Sequence, residues 1–351
     1  KFYLPDGGTW AYDLEGSMLY DHFNSIGAAY SEYTGSFGKI SVVAGLRYEY
    51  TWQKVEYGEG YGHDFDTSFG DIVPNASLQY NISAVQNVGI AYNRRIQRPG
   101  ITYLNPYVDR SSSTSISYGN SDLTSVRVDN LSLVYNFFSP KWVVSLTGRY
   151  SHSGSGISSY SFFREGILNT TYGNIVNENK AGLTAFVNWT AGSKTRIYTN
   201  SSFGYGYFTS DELDQTNDGW NWNVMLGLQQ TIPADILLSA NIIEGGRTWN
   251  LQGWSGGFGM AVIGLSKGFL SDRLKVNVQA MSNLNKGRMK IESFSQGKDY
   301  RQQNVVEVPI RQFGIGLTYT FGKQGFQVKK VRKSITNDDV INNTSGQAPG
   351  T

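Results

Sequence analysis

Between Ile40 and Trp52 the chain alternates with a strict period of two. Ile40, Val42, Ala44, Leu46, Tyr48, Tyr50 and Trp52 are apolar or aromatic, while the intervening positions include Ser41, Gly45, Arg47, Glu49 and Thr51. Successive side chains of a strand point to opposite faces, so this segment has one continuous apolar face and one wet face. The apolar face ends in three aromatic residues. A sheet that is greasy on one side, polar on the other and aromatic at its rim is the pattern of a transmembrane β-barrel. The same pattern returns in 142–150 and 313–321 and, more loosely, at 20–33, 70–80, 85–96, 126–138, 178–190, 194–208, 219–232, 235–248, 255–268 and 272–283. The expected fold is therefore all-β, an antiparallel up-and-down transmembrane barrel with about 13–14 strands visible.

Composition bears on the same question. Of 351 residues, 41 are Gly, 23 Tyr, 18 Phe and 8 Trp, and only 17% are charged. Cysteine is absent, which excludes a disulfide framework or a thiolate metal site. A net charge of +2 carries no bias toward nucleic acid. No apolar run approaches the roughly 18 residues of a membrane-spanning helix, whereas barrel strands need only about 9–11 alternating residues. The chain starts at Lys1 without a charged-then-apolar leader, as a mature or truncated chain does. Soluble sandwiches and propellers also alternate, but with the apolar face inward. The face that is exposed separates the two.

Connections between the segments alternate in length. Tight ones fall at 34–38, 81–84, 139–140, 191–194, 233–234 and 271–273, and long ones at about 54–68, 98–124, 153–176, 210–218 and 285–306. Short turns are periplasmic and long loops extracellular in outer-membrane barrels. Phe137, Phe138, Trp142, Trp189 and Phe321 then form a periplasmic aromatic girdle, and Tyr48, Tyr50, Trp52 and Tyr150 the outer one. Residues 1–322 make the barrel and 323–351 a polar periplasmic tail. With short turns inside, the first and last strands both run inward and the count is odd, where single-chain bacterial barrels have an even number. A truncated barrel is expected.

The run Asn93-Arg94-Arg95-Ile96-Gln97-Arg98-Pro99, then Tyr103-Leu104-Asn105-Pro106-Tyr107, then Gly119-Asn120-Ser121-Asp122-Leu123 adds what periodicity cannot. It resembles the R-x-x-R-P … L-N-P-[FY] … G-N-P-x-L run of TonB-dependent receptor-like outer-membrane barrels of the Bacteroidota type. Residues 37–49 and the ending Leu317–Gly322 are similar to the same family. Ser121 stands where the family has Pro, and neither a plug nor an energy-coupling box is present. The resemblance implies the C-terminal part of a barrel of about 22 strands around a plug. It also implies a receptor in the cell outer membrane that binds and imports a nutrient, with the plug and the TonB energy-coupling complex as partners. Outer-membrane lipid, lipopolysaccharide and a surface lipoprotein are further partners of such a receptor. A self-contained passive pore and an adhesion or assembly scaffold are the alternatives.

Candidate sites follow from parity and position. Arg47, Glu49, Arg149, Lys275, Asn277 and Gln279 fall on the lumen side, where they either line a solute path or form an ion-paired interior. A cation on the lipid side at mid-bilayer would cost about 2–4 kcal/mol. Arg94, Arg95 and Arg98 lie near the outer end of a strand, as a cationic rim for anionic solutes and lipopolysaccharide phosphates or as partners of loop carboxylates such as Asp109. Tyr160, Phe162 and Tyr172 belong to a hairpin extending beyond the membrane and suit sugar or peptide binding, or packing between tall loops. Asn105-Pro106 and Gly119-Asn120 are turn chemistry. Glu59, Asp64 and Asp66 are too few for a calcium loop. His22, His63 and His152 show neither a nucleophile elbow nor a zinc-type pair, so no enzyme, metal or cofactor is expected.

Overall fold

Alternation decides which face of each strand is wet, and the exposure of the folded chain reports which face is outside. A computed structural model of the protein describes residues 2–6, 9–13, 18–60, 64–110, 112, 114–284, 287–322 and 340–341. Thirteen strands form one antiparallel wall in chain order: β1 Met18–Phe37, β2 Ile40–Gly60, β3 Phe65–Ser83, β4 Gln86–Pro99, β5 Val126–Phe138, β6 Trp142–Arg164, β7 Ile167–Ala191, β8 Thr195–Ser210, β9 Gln215–Ile232, β10 Ile236–Gly245, β11 Gly259–Phe269, β12 Leu274–Asn283 and β13 Arg311–Tyr319. Each overlaps one of the alternating segments. Every strand pairs with the one before it, an up-and-down meander, and among the described residues β1 and β13 each have a wall neighbour on one side only.

In β2, Glu49, Thr51 and Gln53 are 3, 0 and 2% exposed, while Leu46, Tyr48 and Trp52 on the opposite face are 56, 49 and 51% exposed. A soluble fold does the reverse. The same inversion holds at Ile72 and Leu78 of β3, Leu131 and Leu133 of β5, Leu183 of β7, Phe203 of β8 and Ile263 of β11, all apolar and exposed. Such a continuous apolar exterior, unmatched by an apolar interior, is stable against lipid and not against water. Aromatic residues border it. Trp142 and Trp189, register partners on β6 and β7, stack at 5.2 Å beside the short turns. Tyr50 meets Trp52 at 4.6 Å, and Phe203 stacks on Trp220 at 4.8 Å, near the opposite end.

The two ends of the wall differ. At one, β1–β2, β3–β4, β5–β6, β7–β8, β9–β10 and β11–β12 are joined by two to four residues. At the other, β6 and β7 run on past Tyr150 as a ribbon of about 45 Å. It closes at Glu165 and Gly166, whose φ values of 53° and 79° make the left-handed pair that a two-residue hairpin turn requires. Above the wall at this end, Thr248–Asn250, Gly253–Ser255, Arg288–Gln296 and Arg301–Pro309 make a separate four-stranded antiparallel sheet. The periodicity expects a strand over 235–248. Instead β10 stops at Gly245, and Gly245-Gly246 releases the chain into that sheet. Val176, Phe208 and Leu251 form a small buried cluster joining the ribbon, β8 and this sheet.

Of the C-terminal segment 323–351, only Val340 and Ile341 are described. They pair in parallel with Arg98 and Pro99 at the long-loop end of β4.

Candidate functional site

The six residues expected on the lumen side all lie on the polar face: Arg47 and Glu49 alternate with Leu46 and Tyr48, Arg149 is the register partner of Ser132, and Lys275, Asn277 and Gln279 alternate with Val276 and Val278. Arg47 Nε donates to Glu49 Oε1 at 2.6 Å.

The three clustered arginines of β4 meet three different environments. Arg94 lies on the apolar face and forks onto Asp129 of β5, Nε to Oδ1 at 2.8 Å and Nη2 to Oδ2 at 2.9 Å, while Tyr92 donates to the same Oδ1 at 2.6 Å. Arg95 points to the opposite face and is exposed. Arg98 is fully buried. Pairing of β4 with β3 ends at Asn93, and beyond it Arg98 crosses to β2, where it binds the Glu49 carboxylate and donates to Thr51 Oγ1 at 3.0 Å. Burial of both charges is tolerated because each is paired.

The L-N-P and G-N segments form a clasp. Gly119 N–H donates to the Asn105 carbonyl at 2.8 Å, and Asn120 N–H to the Tyr103 carbonyl at 2.6 Å. A Cβ on Gly119 would collide with both carbonyl oxygens, so the approach needs glycine. Asn105 Oδ1 accepts from Tyr107 N–H and from the Tyr57 hydroxyl of β2, each at 3.0 Å. Asn120 Nδ2 donates to the Tyr172 carbonyl of β7 at 2.9 Å. Leu104 and Leu123 are buried beneath. This clasp ties the 100–124 connection to β2 and to the ribbon. Tyr172 meets Tyr103 edge-on at 4.6 Å, and burial pushes the Tyr103 hydroxyl pKa up. Tyr160 and Phe162 stack with each other at 5.9 Å. Register puts Tyr160 opposite Thr171 and Tyr172 opposite Ser159, so Tyr172 lies on the other face of the ribbon from Tyr160 and Phe162.

His152 approaches Asn179 Oδ1 through Nδ1 at 3.0 Å on the apolar face. His63 lies outside the described residues. Among those described, no group of three or more His, Cys, Asp or Glu could hold a metal ion.

Sequence reasoning missed a cleft. A cavity of about 410 Å³ is lined by Asp214, Gln215, Asn217, Trp249, Gln252, Trp254, Phe294 and Gln296, among others. The β8–β9 turn supplies one wall and the four-stranded sheet the other. Gly253 lies flat against the Phe294 carbonyl, where any Cβ would collide. Gln252 is 8% exposed, and its Oε1 accepts from Ser161 N–H at 3.0 Å and the Tyr300 hydroxyl at 2.9 Å. Gln215 Oε1 is shut off from solvent without a partner among the described residues. Trp254 stacks on Phe294 at 6.2 Å, and Arg247 lies 3.7 Å from the Trp254 ring centre. The legible signal was Trp249-Asn250-Leu251-Gln252-Gly253-Trp254, two tryptophans in a glycine-interrupted segment away from either girdle.

Likenesses to known proteins agree with this architecture. The FrpB iron transporter of Neisseria meningitidis (F3-3 variant) superposes with a TM-score of 0.59 at 14% identity, over 87% of this chain and 46% of that one. The copper transporter OprC does so with a TM-score of 0.65 at 12% identity, over 86% and 50%. The ferric yersiniabactin uptake receptor FyuA of Yersinia pestis gives 0.62 at 13% identity, over 86% and 46%. The chain spans about half the length of these structures. No curated protein matches it. A model of the outer membrane protein beta-barrel family matches residues 1–319. With its apolar exterior, polar inner face and aromatic borders, the chain belongs to that family and is a β-barrel wall of the cell outer membrane.

Proposed function

We propose that the chain is the C-terminal wall and outer loops of a TonB-dependent receptor that captures a nutrient outside the cell and imports it past a plug. The observation that carries this reading is the fit of thirteen wall strands onto about half of the FrpB, OprC and FyuA chains, described as an iron transporter, a copper transporter and an uptake receptor. In this reading the long-loop end faces outward. Arg47, Glu49, Arg149, Lys275, Asn277 and Gln279 line the passage around the plug, and Arg95 stands exposed at its outer end. Arg94, held by Asp129 on the lipid-side face, meets lipopolysaccharide at the membrane border.

The test starts with the intact polypeptide in native outer membranes, by mass spectrometry and immunoblot. A species of about twice 39.0 kDa is expected, with solute uptake that a protonophore abolishes. A 39 kDa species whose flux survives the protonophore would overturn the reading in favour of a passive pore.

A further inference from the structure

At the long-loop end, β4 outruns both of its neighbours. Its ladder with β3 ends at Asn75 and Asn93; the next residue outward on β3 is Pro74, which has no N–H to donate. Its ladder with β5 ends at Gln97 and Val126. Arg98 and Pro99 lie past both ladders, yet their side chains are fully buried, and Ile96 before them is 4% exposed. We infer that this buried tip of β4 is a strand-docking site, and that its occupant is the chain's own segment at Val340-Ile341, brought there along the inside of the barrel. The inference goes beyond import and holds for a receptor and a passive pore alike.

The tip needs an occupant. Buried backbone polar groups are paired in stable folds, so a segment beyond both ladders must find its partner elsewhere. Gly100 is served by the turn that follows it, its carbonyl accepting from Tyr103 N–H at 2.9 Å. Arg98 and Pro99 are met by Val340 and Ile341 in parallel register. Sequence suits the occupant to the place. Val340 and Ile341 are β-branched, the type that favours extended backbone, and they stand between Asp338-Asp339 and Asn342-Asn343. A short strand with polar flanks matches a short edge, because Pro99 offers no N–H to carry the ladder further.

Direction and charge give the route. β13 returns the chain to the short-turn end, where Tyr319 is the register partner of Leu274. Val340 and Ile341 run parallel to β4, which rises from its short turn at Gln86 to the long-loop end. The chain therefore crosses the height of the wall between Gly322 and Val340. From Gln86 to Arg98 that height is about 30 Å, at about 3.3 Å per residue and a tilt of about 40°. About 18 residue steps reach about 60 Å at full extension, so the length suffices. Lipid bars the outer face to a link that carries Lys323, Lys329, Lys330, Arg332 and Lys333. The polar inner face is the route that remains. Its end point is the outer end of the passage, at the arginine that holds Glu49.

The experiment uses the full-length protein in native outer membranes. Cysteine is absent from these 351 residues, so pairs introduced among them have no native competitor there. Pro99→Cys with Ile341→Cys joins register partners of the docked strand, and mild oxidation should close a disulfide in most of the heat-modifiable protein. Lys39→Cys with Ile341→Cys sets the same segment against the β1–β2 turn at the short-turn end and should close none. A link from position 341 to position 39 and not to position 99 leaves the segment in the periplasm and overturns the inference. Folded protein in which neither pair closes overturns it too. A second measurement leaves the wall untouched. A benzophenone side chain in place of Ile341, photolysed in intact membranes, should attach to residues 94–110 in peptide mass spectra. Attachment to short-turn peptides, or none to the barrel, sinks the proposal even where Pro99→Cys fails to fold.

Discussion

Placing an arginine at position 146 tests the facing of the whole wall. On β6 the apolar face runs Trp142, Val144, Leu146, Gly148, Tyr150, exposed at both ends and half-buried between them. Trp142 is stacked on Trp189 at one border, and Tyr150 donates to Asn179 at 2.8 Å at the other. From Trp142 to Tyr150 is eight steps of about 3.3 Å; at a strand tilt of about 40° they rise about 20 Å, close to the height of an outer-membrane apolar band. Leu146 is at its centre, opposite Tyr135 on β5 and Ala185 on β7. Leu146→Arg therefore puts a cation at the bilayer midplane, for about 2–4 kcal/mol. That is roughly a 30- to 900-fold shift in the folded-to-unfolded ratio. Ser145→Arg, one residue away, extends from the polar face beside Asn136 and should cost less than 1 kcal/mol, on the order of an ordinary surface change. Heat-modifiability gels of membranes from cells expressing each variant, followed by urea midpoints in detergent, read the difference. Equal losses for the two variants, or a larger loss at Ser145, would refute the assignment of faces on β6 and on every strand in register with it.

Removing the Arg98 side chain should be among the costlier single changes. Arg98→Ala leaves Glu49, itself 3% exposed, without its buried partner, and an expected loss of about 3–5 kcal/mol. Adding Glu49→Gln should recover part of it in the same urea titration. Gly119→Ala should open the clasp without unfolding the wall, making residues 100–124 sensitive to protease while heat-modifiability holds; a protected loop would remove the steric argument. The clasp should also weaken in alkali. The pKa of Tyr103 is raised by burial beside Tyr172. Its contribution is therefore complete below the ordinary tyrosine value of about 10 and lost as pH rises through the higher folded value. Protease cleavage at 100–124 should accelerate above about pH 10 in the wild type, and this pH step should shrink in Tyr103→Phe, where the half-buried Tyr57 hydroxyl that donates to Asn105 remains.

How much of this was legible follows from the range of the interactions. The side-chain period of a strand is local, so 40–52 or 142–150 states its own facing, and Glu49, Arg149 and Gln279 could be assigned to the polar face one segment at a time. Short turns then placed neighbours beside one another, and the thirteen-strand order followed without long-range information. The departures begin where local period stops governing. Arg98 shares parity with Arg94, yet β4 leaves β3 at Asn93, and the guanidinium finds Glu49, 49 residues away. No pattern within 93–99 announces that crossing. Likewise the periodic run 235–248 reads as one strand, but Gly245-Gly246 ends the ladder and sends Trp249 elsewhere.

The same distinction explains why a family resemblance gave the barrel and not its ligand. The residues that carry the resemblance have spent most of their hydrogen-bonding capacity inside the fold. Arg94 is held by Asp129, Arg98 by Glu49 and Thr51, Asn105 by Tyr57 and Tyr107, and Asn120 by the Tyr172 carbonyl. They build the outer end of the wall and fasten one loop to it. The cleft draws on 214–217, 249–254 and 294–297 and is held to the ribbon by a bond spanning 91 residues, from Ser161 N–H to Gln252. None of those segments carries a motif of the resembled family, because their side chains converge only in space. A cleft of that kind becomes visible only once the loops are folded against one another.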